Sequence, residues 1–509
     1  MNKATLFFIP ALFFLFLPAT TYSQISYNPV SMGLGGGGTS YITDYEALFT
    51  NPANLQLREK NYGLQITIAE SGAYYDSPLR IRNGRERMKL FGETLQTPKP
   101  DSYTFSGDER QLLLDRYYNN DRDFRQMQSG SVINWFGIKW FGEEKSYAFA
   151  FRTRQSSRYS VGRGFYDSEP VEADDLQFIN QSLTHRYQTL HEVSFGYSES
   201  FTFLSGLFPR ISKFIIGLAP KIVLAGPGFT TEYTNNFTRE QTTSPWQRDA
   251  SYNFESSGIF SNYADELSNG SVPFDDLGPI TNLNDLMSPS GFGAAIDLGV
   301  TYLFTFGDDL SLIRRGEEPT EKSLRLSFSI TDLGLIHTFK DPFRAEGDIT
   351  VSDNPAPLPV SDQYYAGALL QDFTFLKSGG NGIHPLQNVS SVNRDSYQSL
   401  LPTSLQTGIL FQINRIKMMG DFRLGLTDNA FHSTKLTSYI GTEVRLLPFL
   451  PLRAGTRLAT DLPGYYSFGA GIETTYFDVN AAVQFRSTST GPTLEPVAAS
   501  AVAVKFYIP

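Results

Sequence analysis

Apolar and polar residues alternate along many segments of this chain. In segment 477–486, apolar side chains stand at every odd position and polar ones at 478, 480, 484 and 486, and segments 324–331 and 296–304 repeat the pattern. A period of two is that of a β-strand. A soluble β-sandwich also alternates, but a second sheet covers its apolar face. Here apolar faces of about ten residues recur through the whole chain, as lipid-facing strands of a transmembrane barrel require.

The alternation predicts an all-β protein, a 14-stranded antiparallel transmembrane β-barrel. The fourteen predicted strands are 62–74, 131–141, 146–154, 189–204, 211–225, 291–305, 323–333, 403–413, 417–427, 437–446, 452–459, 465–474, 477–488 and 496–507.

The lengths of the connections support the same architecture. Outer-membrane barrels have short turns on the periplasmic side and long loops outside. Connections such as 142–145 and 414–416 are short, and the predicted extracellular loops are 75–130, 155–188, 226–290 and 334–402. The segment 363–370 also alternates, but counting it would place long loops in the periplasm, so we assign it to the last loop. The barrel domain is then expected to cover residues 59–509.

The N-terminus has the features of an export signal. A short positive start at Lys3 precedes the apolar run 6–17, and Thr21 and Ser23 are small residues at the positions that a signal peptidase reads. We predict a signal peptide over residues 1–23, cleaved before Gln24. An uncleaved anchor helix would need about 20 apolar residues, more than this run has. An exported chain with β-strand periodicity is expected in the cell outer membrane, in contact with lipid.

Composition excludes several other classes of protein. The chain has no cysteine, which removes disulfides, thiolate metal sites and cysteine catalysis. A net charge of −10 offers no overall basic field for nucleic acid. A mean hydropathy of −0.23 argues against a bundle of apolar transmembrane helices.

No group of residues suggests catalysis. The five histidines lack the helical spacing and neighbouring carboxylates of a zinc site, and no G-x-S-x-G motif is present. The acidic cluster from Asp115 to Asp123 lacks the glycine and final glutamate of an EF-hand. We therefore expect no catalytic residue, no metal site, no cofactor and no enzyme activity.

The segment 24–58 is predicted to be an N-terminal hatch inside the barrel lumen. Its glycine run has no following Gly-Lys-Ser/Thr, so a phosphate cradle is excluded and close backbone packing remains. A mobile periplasmic tail is the alternative. The candidate hatch residues are Gly33, Gly35, Gly36, Gly37, Gly38, Asp44, Phe49, Asn51, Pro52, Ala53 and Leu55.

If the apolar strand faces meet lipid, the charged residues between them point into the lumen. Buried charges need partners or water. We expect pairs across neighbouring strands, and contacts from the arginines to Asp44 or Glu46 of the hatch; a wet wall and a selective anion path both remain open. The candidate lumen-lining residues are Arg325, Arg423, Glu443, Arg445, Arg453, Arg457, Asp478 and Arg486.

The N-terminal motif resembles that of a known family. The glycines 33–38, Asp44 and the motif F-x-N-P-A-x-L at 49–55 are similar to the start of FadL/PorV-like outer-membrane barrels, most closely a DUF5723-like Bacteroidetes branch. The strand-end sequences at 297–299, 331–334 and 401–405 resemble recurring patterns of that family. The resemblance implies a fourteen-stranded barrel with a lumenal hatch. The outer loops of this chain are longer than those of the fatty-acid transporters, and the sequence reveals no ligand pocket.

Two functions remain open at this point. Members of the family transport hydrophobic molecules or serve as surface barrels of the type IX secretion system. The resemblance therefore implies uptake or passage of a hydrophobic or amphipathic small molecule. The alternative is a non-transporting, PorV-like surface barrel that binds a protein partner of the secretion or gliding machinery through its long loops.

Location and barrel architecture are tested together by fractionation. We expect the chain to be recovered with the outer membrane and to migrate faster on a gel when unheated than when boiled, because folded barrels resist detergent. Recovery as a soluble periplasmic protein without a mobility shift would contradict the barrel.

Overall fold

A computed structural model describes residues 28–57, 62–76, 114, 124–165, 167, 169–173, 176–201, 212–261, 288–305, 322–354, 391–458, 464–487, 494–501 and 504–508. Its strands are β1 (Leu64–Asp76), β2 (Phe124–Phe141), β3 (Lys145–Gly162), β4 (Val171–Ala173), β5 (Leu176–Asn180), β6 (Leu183–Phe201), β7 (Ser212–Arg239), β8 (Trp246–Ser257), β9 (Gly291–Thr305), β10 (Lys322–Thr338), β11 (Phe343–Asn354), β12 (Ser391–Asn393), β13 (Tyr397–Leu400), β14 (Ser404–Ile413), β15 (Ile416–Gly425), β16 (Leu436–Leu447), β17 (Leu450–Leu458), β18 (Tyr465–Glu473), β19 (Phe477–Ser487), β20 (Leu494–Ala501) and β21 (Val504–Ile508).

The strands close into an antiparallel ring of fourteen positions. Each position pairs with the next, and the last returns to β1. The order around the ring is β1, β2, β3, β6, β7, β9, β10, β14, β15, β16, β17, β18, β19 and a final position shared by β20 and β21. The predicted fourteen-stranded barrel is thus confirmed.

The outer surface of the ring is apolar and the inner surface is polar. Along β9, buried and more exposed residues alternate: Asp297 and Thr301 are buried, whereas Leu298 is 38% exposed. On β10 the buried Arg325 lies beside Leu326 and Phe328, which are more than 40% exposed. Among the described residues, no helix is both long and apolar enough to span a membrane.

Six further strands lie at the end of the barrel opposite the short turns. The segments predicted as loops 155–188, 226–290 and 334–402 contain β4, β5, β8, β11, β12 and β13, so the expectation of plain loops was wrong there. β7 continues 28 residues to Arg239 because its alternation of aromatic and polar residues continues past the barrel. Its outer half pairs with β5 and β8, and β8 pairs with β11, which pairs with β12. We call β5, outer β7, β8, β11 and β12 the distal sheet.

The N-terminal segment 28–57 forms three short helices. α1 (Pro29–Gly33) is followed by two 3-10 helices, Tyr45–Phe49 and Pro52–Gln56. Each begins at a side chain that accepts backbone N–H bonds, from Asn28, Asp44 and Asn51 in turn. α1 contacts β17, β18 and β19, whereas the third helix contacts β6, β7 and β9 on the opposite side of the ring. The segment therefore lies within the ring of strands.

Some predicted features lie outside the described residues. These are the signal peptide 1–23, residues 24–27, most of the loop 75–130 with its acidic cluster, and the segment 363–370.

Orientation in the membrane is tested with single cysteines, since the native chain has none. Glu143 lies in the short turn between β2 and β3, and Asp395 lies between β12 and β13 at the other end; both are exposed. We expect an impermeant maleimide to label Asp395→Cys but not Glu143→Cys on intact cells, because short turns face the periplasm. The reverse result would invert the topology.

Candidate functional site

The glycine run of the N-terminal segment lies directly against the barrel wall. Gly35 and Gly36 have φ angles of +92° and +106°, which side chains with a Cβ rarely adopt. A Cβ on Gly35 would also lie 2.6 Å from the carbonyl oxygen of Thr456 on β17. The predicted close packing of this run therefore has two causes, its left-handed backbone and its contact with the wall.

The wall carries glycines of its own where the N-terminal segment touches it. A Cβ on Gly217 would overlap the backbone of Pro52 and Ala53, and one on Gly299 would overlap the Asn51 carboxamide. We call these positions the interior glycines. Each would place a Cβ within 3.1 Å of the segment: Gly137, Gly196, Gly217, Gly299, Gly408, Gly441, Gly455 and Gly469.

The sequence did contain a signal for these positions that was not used. Gly299 and Gly217 stand at inward positions of strongly alternating strands, where a lumen lined by water would accept larger polar side chains. Glycine weakens a strand, so several glycines at one level of a barrel indicate close approach of another chain segment.

A buried aspartate on β15 binds the end of the glycine run. Asp421 accepts hydrogen bonds from the backbone N–H groups of Gly38 and Thr39, at 2.6 and 2.8 Å, and from the Ser40 hydroxyl at 3.0 Å. Without this carboxylate two buried donors would lose their partner, at a cost of about 1–3 kcal/mol each. The sequence analysis did not single out Asp421.

The Asn-Pro motif is held on the opposite wall by polar contacts. The Asn51 amide donates to Thr301 Oγ1 at 2.9 Å, and the Thr301 hydroxyl donates to Asn54 Oδ1 at 2.6 Å. The Ser329 hydroxyl donates to the carbonyl of Thr50 at 2.6 Å. The motif thus does more than begin strand one: it fixes the segment to β9 and β10.

The carboxylates of the segment pair with a lysine, not with the expected arginines. Lys505 on β21 contacts Asp44 and lies 3.8 Å from carboxylate oxygens of both Glu46 and Glu70. Burial, and next the Glu70 charge, raise the pKa of Glu46 well above its usual range. The expected pairing of Asp44 or Glu46 with inward arginines was wrong, because β21 lies nearer to this part of the segment.

Three of the predicted lumen residues form one network at the end with the short turns. Glu443 on β16 binds Arg453 at 2.7 Å and Arg445 at 3.0 Å, and both arginines also bind Glu473 at 2.5 Å. The Tyr41 hydroxyl of the N-terminal segment donates to Glu443 as well. Charges are therefore paired across neighbouring strands, and the network also holds the segment.

The other predicted lumen residues lie on the interior face but apart from one another. Arg457 donates to the Tyr74 hydroxyl at 2.8 Å, Arg423 donates to Gln406 at 2.9 Å, and Asp478 accepts from Tyr507 at 2.6 Å. Arg325 and Arg486 are buried on β10 and β19. The eight residues thus do not form a single binding site.

A second network, missed from the sequence, lies at mid-height on the other side. Lys221 binds Asp297 and Asp332 at 2.7 and 2.6 Å, Arg154 binds Asp332 at 3.0 Å, and Glu192 binds both Arg152 and Arg154. We call Arg152, Arg154, Glu192, Lys221, Asp297 and Asp332 the central ion cluster. Three positive and three negative groups balance. The Phe49 ring of the N-terminal segment lies under Arg152, 3.6 Å from the guanidinium carbon.

A cavity of about 90 Å³ remains beside this cluster. Phe49 and Thr50 of the N-terminal segment line one side, Arg152 and Arg154 line the wall, and Phe431 covers it from the loop end. The space suits a few water molecules or a small polar group. Within the described part of the chain, no cluster of three or more acidic or histidine side chains could hold a metal ion.

The fold and interior define a class: a closed β-barrel whose lumen is filled by its own N-terminal segment. The model of the DUF5723 family, described as a family of unknown function, matches residues 91–487, and the chain belongs to this family. The N-terminal motif lies before the matched residues. No curated protein matches the chain in sequence.

Several solved barrels are similar in fold. The Ralstonia pickettii toluene transporter TbuX is 10% identical, over 96% of this chain and 100% of that one, with a TM-score of 0.42. The Pseudomonas putida toluene transporter TodX is 11% identical, over 96% and 99%, with a TM-score of 0.41. A Pseudomonas aeruginosa FadL homologue is 10% identical, over 97% and 100%, with a TM-score of 0.23. Such weak similarities do not carry a substrate over to this chain.

Replacing an interior glycine should dislodge the N-terminal segment. In Gly217→Val the new side chain meets backbone atoms of Pro52 and Ala53, which cannot move alone, so we expect faster hydrogen exchange over residues 45–57 and greater entry of large antibiotics. Gly420→Val is the matched control, since the nearest atom to its Cβ is Ile409 Cγ2 at 3.7 Å. Equal exchange in both variants would show that the segment does not depend on this contact.

Proposed function

We propose that this protein is an outer-membrane barrel through which a hydrophobic or amphipathic small molecule passes. Its division would be a signal peptide at 1–23, a hatch at 24–58 that closes the lumen, and a barrel at 59–509 whose apolar outer surface contacts lipid. The observation that carries the proposal is a weak point in the barrel wall between β6 and β7.

The ladder between these strands is interrupted at one place. Ser194 pairs with Lys221 and Tyr197 with Leu218, but the two positions between them on each strand are unpaired. Pro220 lies in this gap, and proline has no N–H to donate to a neighbouring strand. Opening the wall here would therefore break fewer hydrogen bonds than elsewhere along the same ladder.

The outside of the gap is an apolar groove of about 480 Å³. Phe195, Leu218 and Pro220 line it, together with Trp140 and Tyr147 of the neighbouring strands. Behind it, a Cβ on Gly196 would overlap Leu48 of the hatch and lie 2.7 Å from Leu55 Cδ1. At this place only backbone separates apolar hatch side chains from the lipid-facing groove.

This geometry favours sideways passage over an open aqueous pore. The hatch fills the lumen through many polar contacts with the wall, and the central ion cluster is buried. An apolar molecule gains by moving from the barrel interior into lipid, whereas an ion would have to be desolvated at the groove. The proposed cargo is therefore apolar over most of its surface.

Restoring the ladder should slow passage. In Pro220→Val the valine N–H can donate, and one added backbone hydrogen bond contributes about 1 kcal/mol net, so opening should become about fivefold rarer. We expect correspondingly slower uptake of an apolar fluorescent probe into liposomes that contain only this protein. Phe328→Val, which alters a lipid-facing side chain of β10, is the control. Unchanged uptake by Pro220→Val would contradict passage at this gap.

A second candidate function is a PorV-like surface barrel that binds a protein partner, in a Bacteroidetes-type secretion or gliding system. The distal sheet favours it, because three long outer segments are folded into paired strands and offer a defined surface. The liposome assay separates the two: uptake with no other protein present supports passage, and its absence together with a crosslinked partner in cells supports docking.

A further inference from the structure

The loop between β15 and β16 crosses the mouth of the barrel. These strands occupy ring positions nine and ten, but residues of the loop bind strands at positions two and three. The Ser156 hydroxyl on β3 donates to the carbonyl of Ala430 at 2.7 Å, and the Gln128 amide on β2 donates to the carbonyl of Phe431 at 3.2 Å. We call residues 426–435 the inward loop.

The inward loop has a defined conformation of its own. Asn429 Oδ1 accepts from the backbone N–H groups of Phe431 and His432, at 2.8 and 3.1 Å. His432 Nε2 lies 2.7 Å from the carbonyl oxygen of Pro402, so this nitrogen is the donor. Burial lowers the pKa of His432 to about 4, which leaves the ring neutral near pH 7. Ala430, Phe431 and His432 are all buried.

One ion pair cluster fastens the loop at the rim. Asp428 contacts Arg158 on β3 and binds Arg186 on β6 at 2.7 Å. Arg186 also binds Glu232 on β7 at 2.6 Å. Asp428 is partly exposed to solvent, unlike the carboxylates of the central ion cluster. This fastening is therefore the part of the loop that solvent can reach first.

Two aromatic rings approach the central ion cluster from opposite ends of the lumen. Phe431 of the inward loop lies 4.6 Å from the Arg154 guanidinium carbon, and Phe49 of the hatch lies 3.6 Å from that of Arg152. Both arginines bind Glu192. The 90 Å³ cavity has hatch residues on one side and Phe431 on the other.

We propose that the inward loop is a second closure of the lumen, and that it is coupled to the hatch through Arg152, Glu192 and Arg154. When the loop leaves, Arg154 loses its ring contact and can turn on Glu192. The geometry of Arg152 on the same carboxylate then changes, and with it the support beneath Phe49. The inference concerns closure and holds whether or not the barrel passes a small molecule.

Closure is tested by reagent access to the cavity. Val132→Cys places a thiol of similar size on the cavity wall of a chain that has no other cysteine. In this background, Asp428→Asn removes the charge that binds Arg158 and Arg186. We expect an impermeant methanethiosulfonate to label the purified full-length protein about tenfold faster. Asp395→Asn, at an exposed aspartate between β12 and β13, is the matched control and should label as slowly as the parent.

Coupling is tested by hydrogen exchange over residues 45–56 of the hatch. Asp428→Asn should accelerate exchange there, although Asp428 contacts no hatch residue. In Phe49→Leu, which removes the ring from Arg152 with little change in size, the same substitution should have no further effect on hatch exchange. The mobility shift between unheated and boiled samples confirms that each variant has folded.

Phe431→Ala serves as a second opening variant if Asp428→Asn does not fold. Slow labelling in the opening variant that folds would overturn the closure. Fast labelling with unchanged hatch exchange would overturn the coupling. Neither assay uses a transported molecule, so both results are distinct from failure of the uptake experiment.

Discussion

The space enclosed by fourteen strands is the constraint on which the rest of this structure depends. A ring of this size is wider than its own wall side chains can fill, and an unfilled lumen would be an open channel. Here a covalently attached segment occupies it. Because two layers of side chains do not fit between that segment and the wall, glycines such as Gly217 and Gly299 occur where the two backbones meet.

The same ring decides the sign of every interior position. Strands that present leucine and phenylalanine to the outside must present their alternate residues to the lumen, and many of those are charged. Buried charges persist only when they are paired. The Glu443 network and the central ion cluster satisfy this condition within the wall, and Tyr41 and Phe49 connect the hatch to each of them. Electrostatic pairing and filling of the lumen are therefore one arrangement.

The contacts between hatch and wall are mostly polar and directional. Asp421, Thr301 and Lys505 each hold a different part of the segment from a different strand. Such contacts can be exchanged for water at modest net cost, unlike a buried apolar interface of the same size. A filled lumen of this kind is compatible with movement of the segment, which both the proposed passage and the proposed coupling require.

The sequence alone determined the class of fold, because alternation with period two sets which face of a strand meets lipid and does not depend on distant residues. It also placed Arg453, Arg457 and Glu443 on the inner face and indicated close packing of the glycine run. Partners were decided by the tertiary structure. Lys505, and not an arginine, faces Asp44, because closure of the ring brings the last strand beside the first. Asp421, the central ion cluster and the inward loop lie on strands far apart in sequence, and only the closed ring brings them to the same level of the lumen.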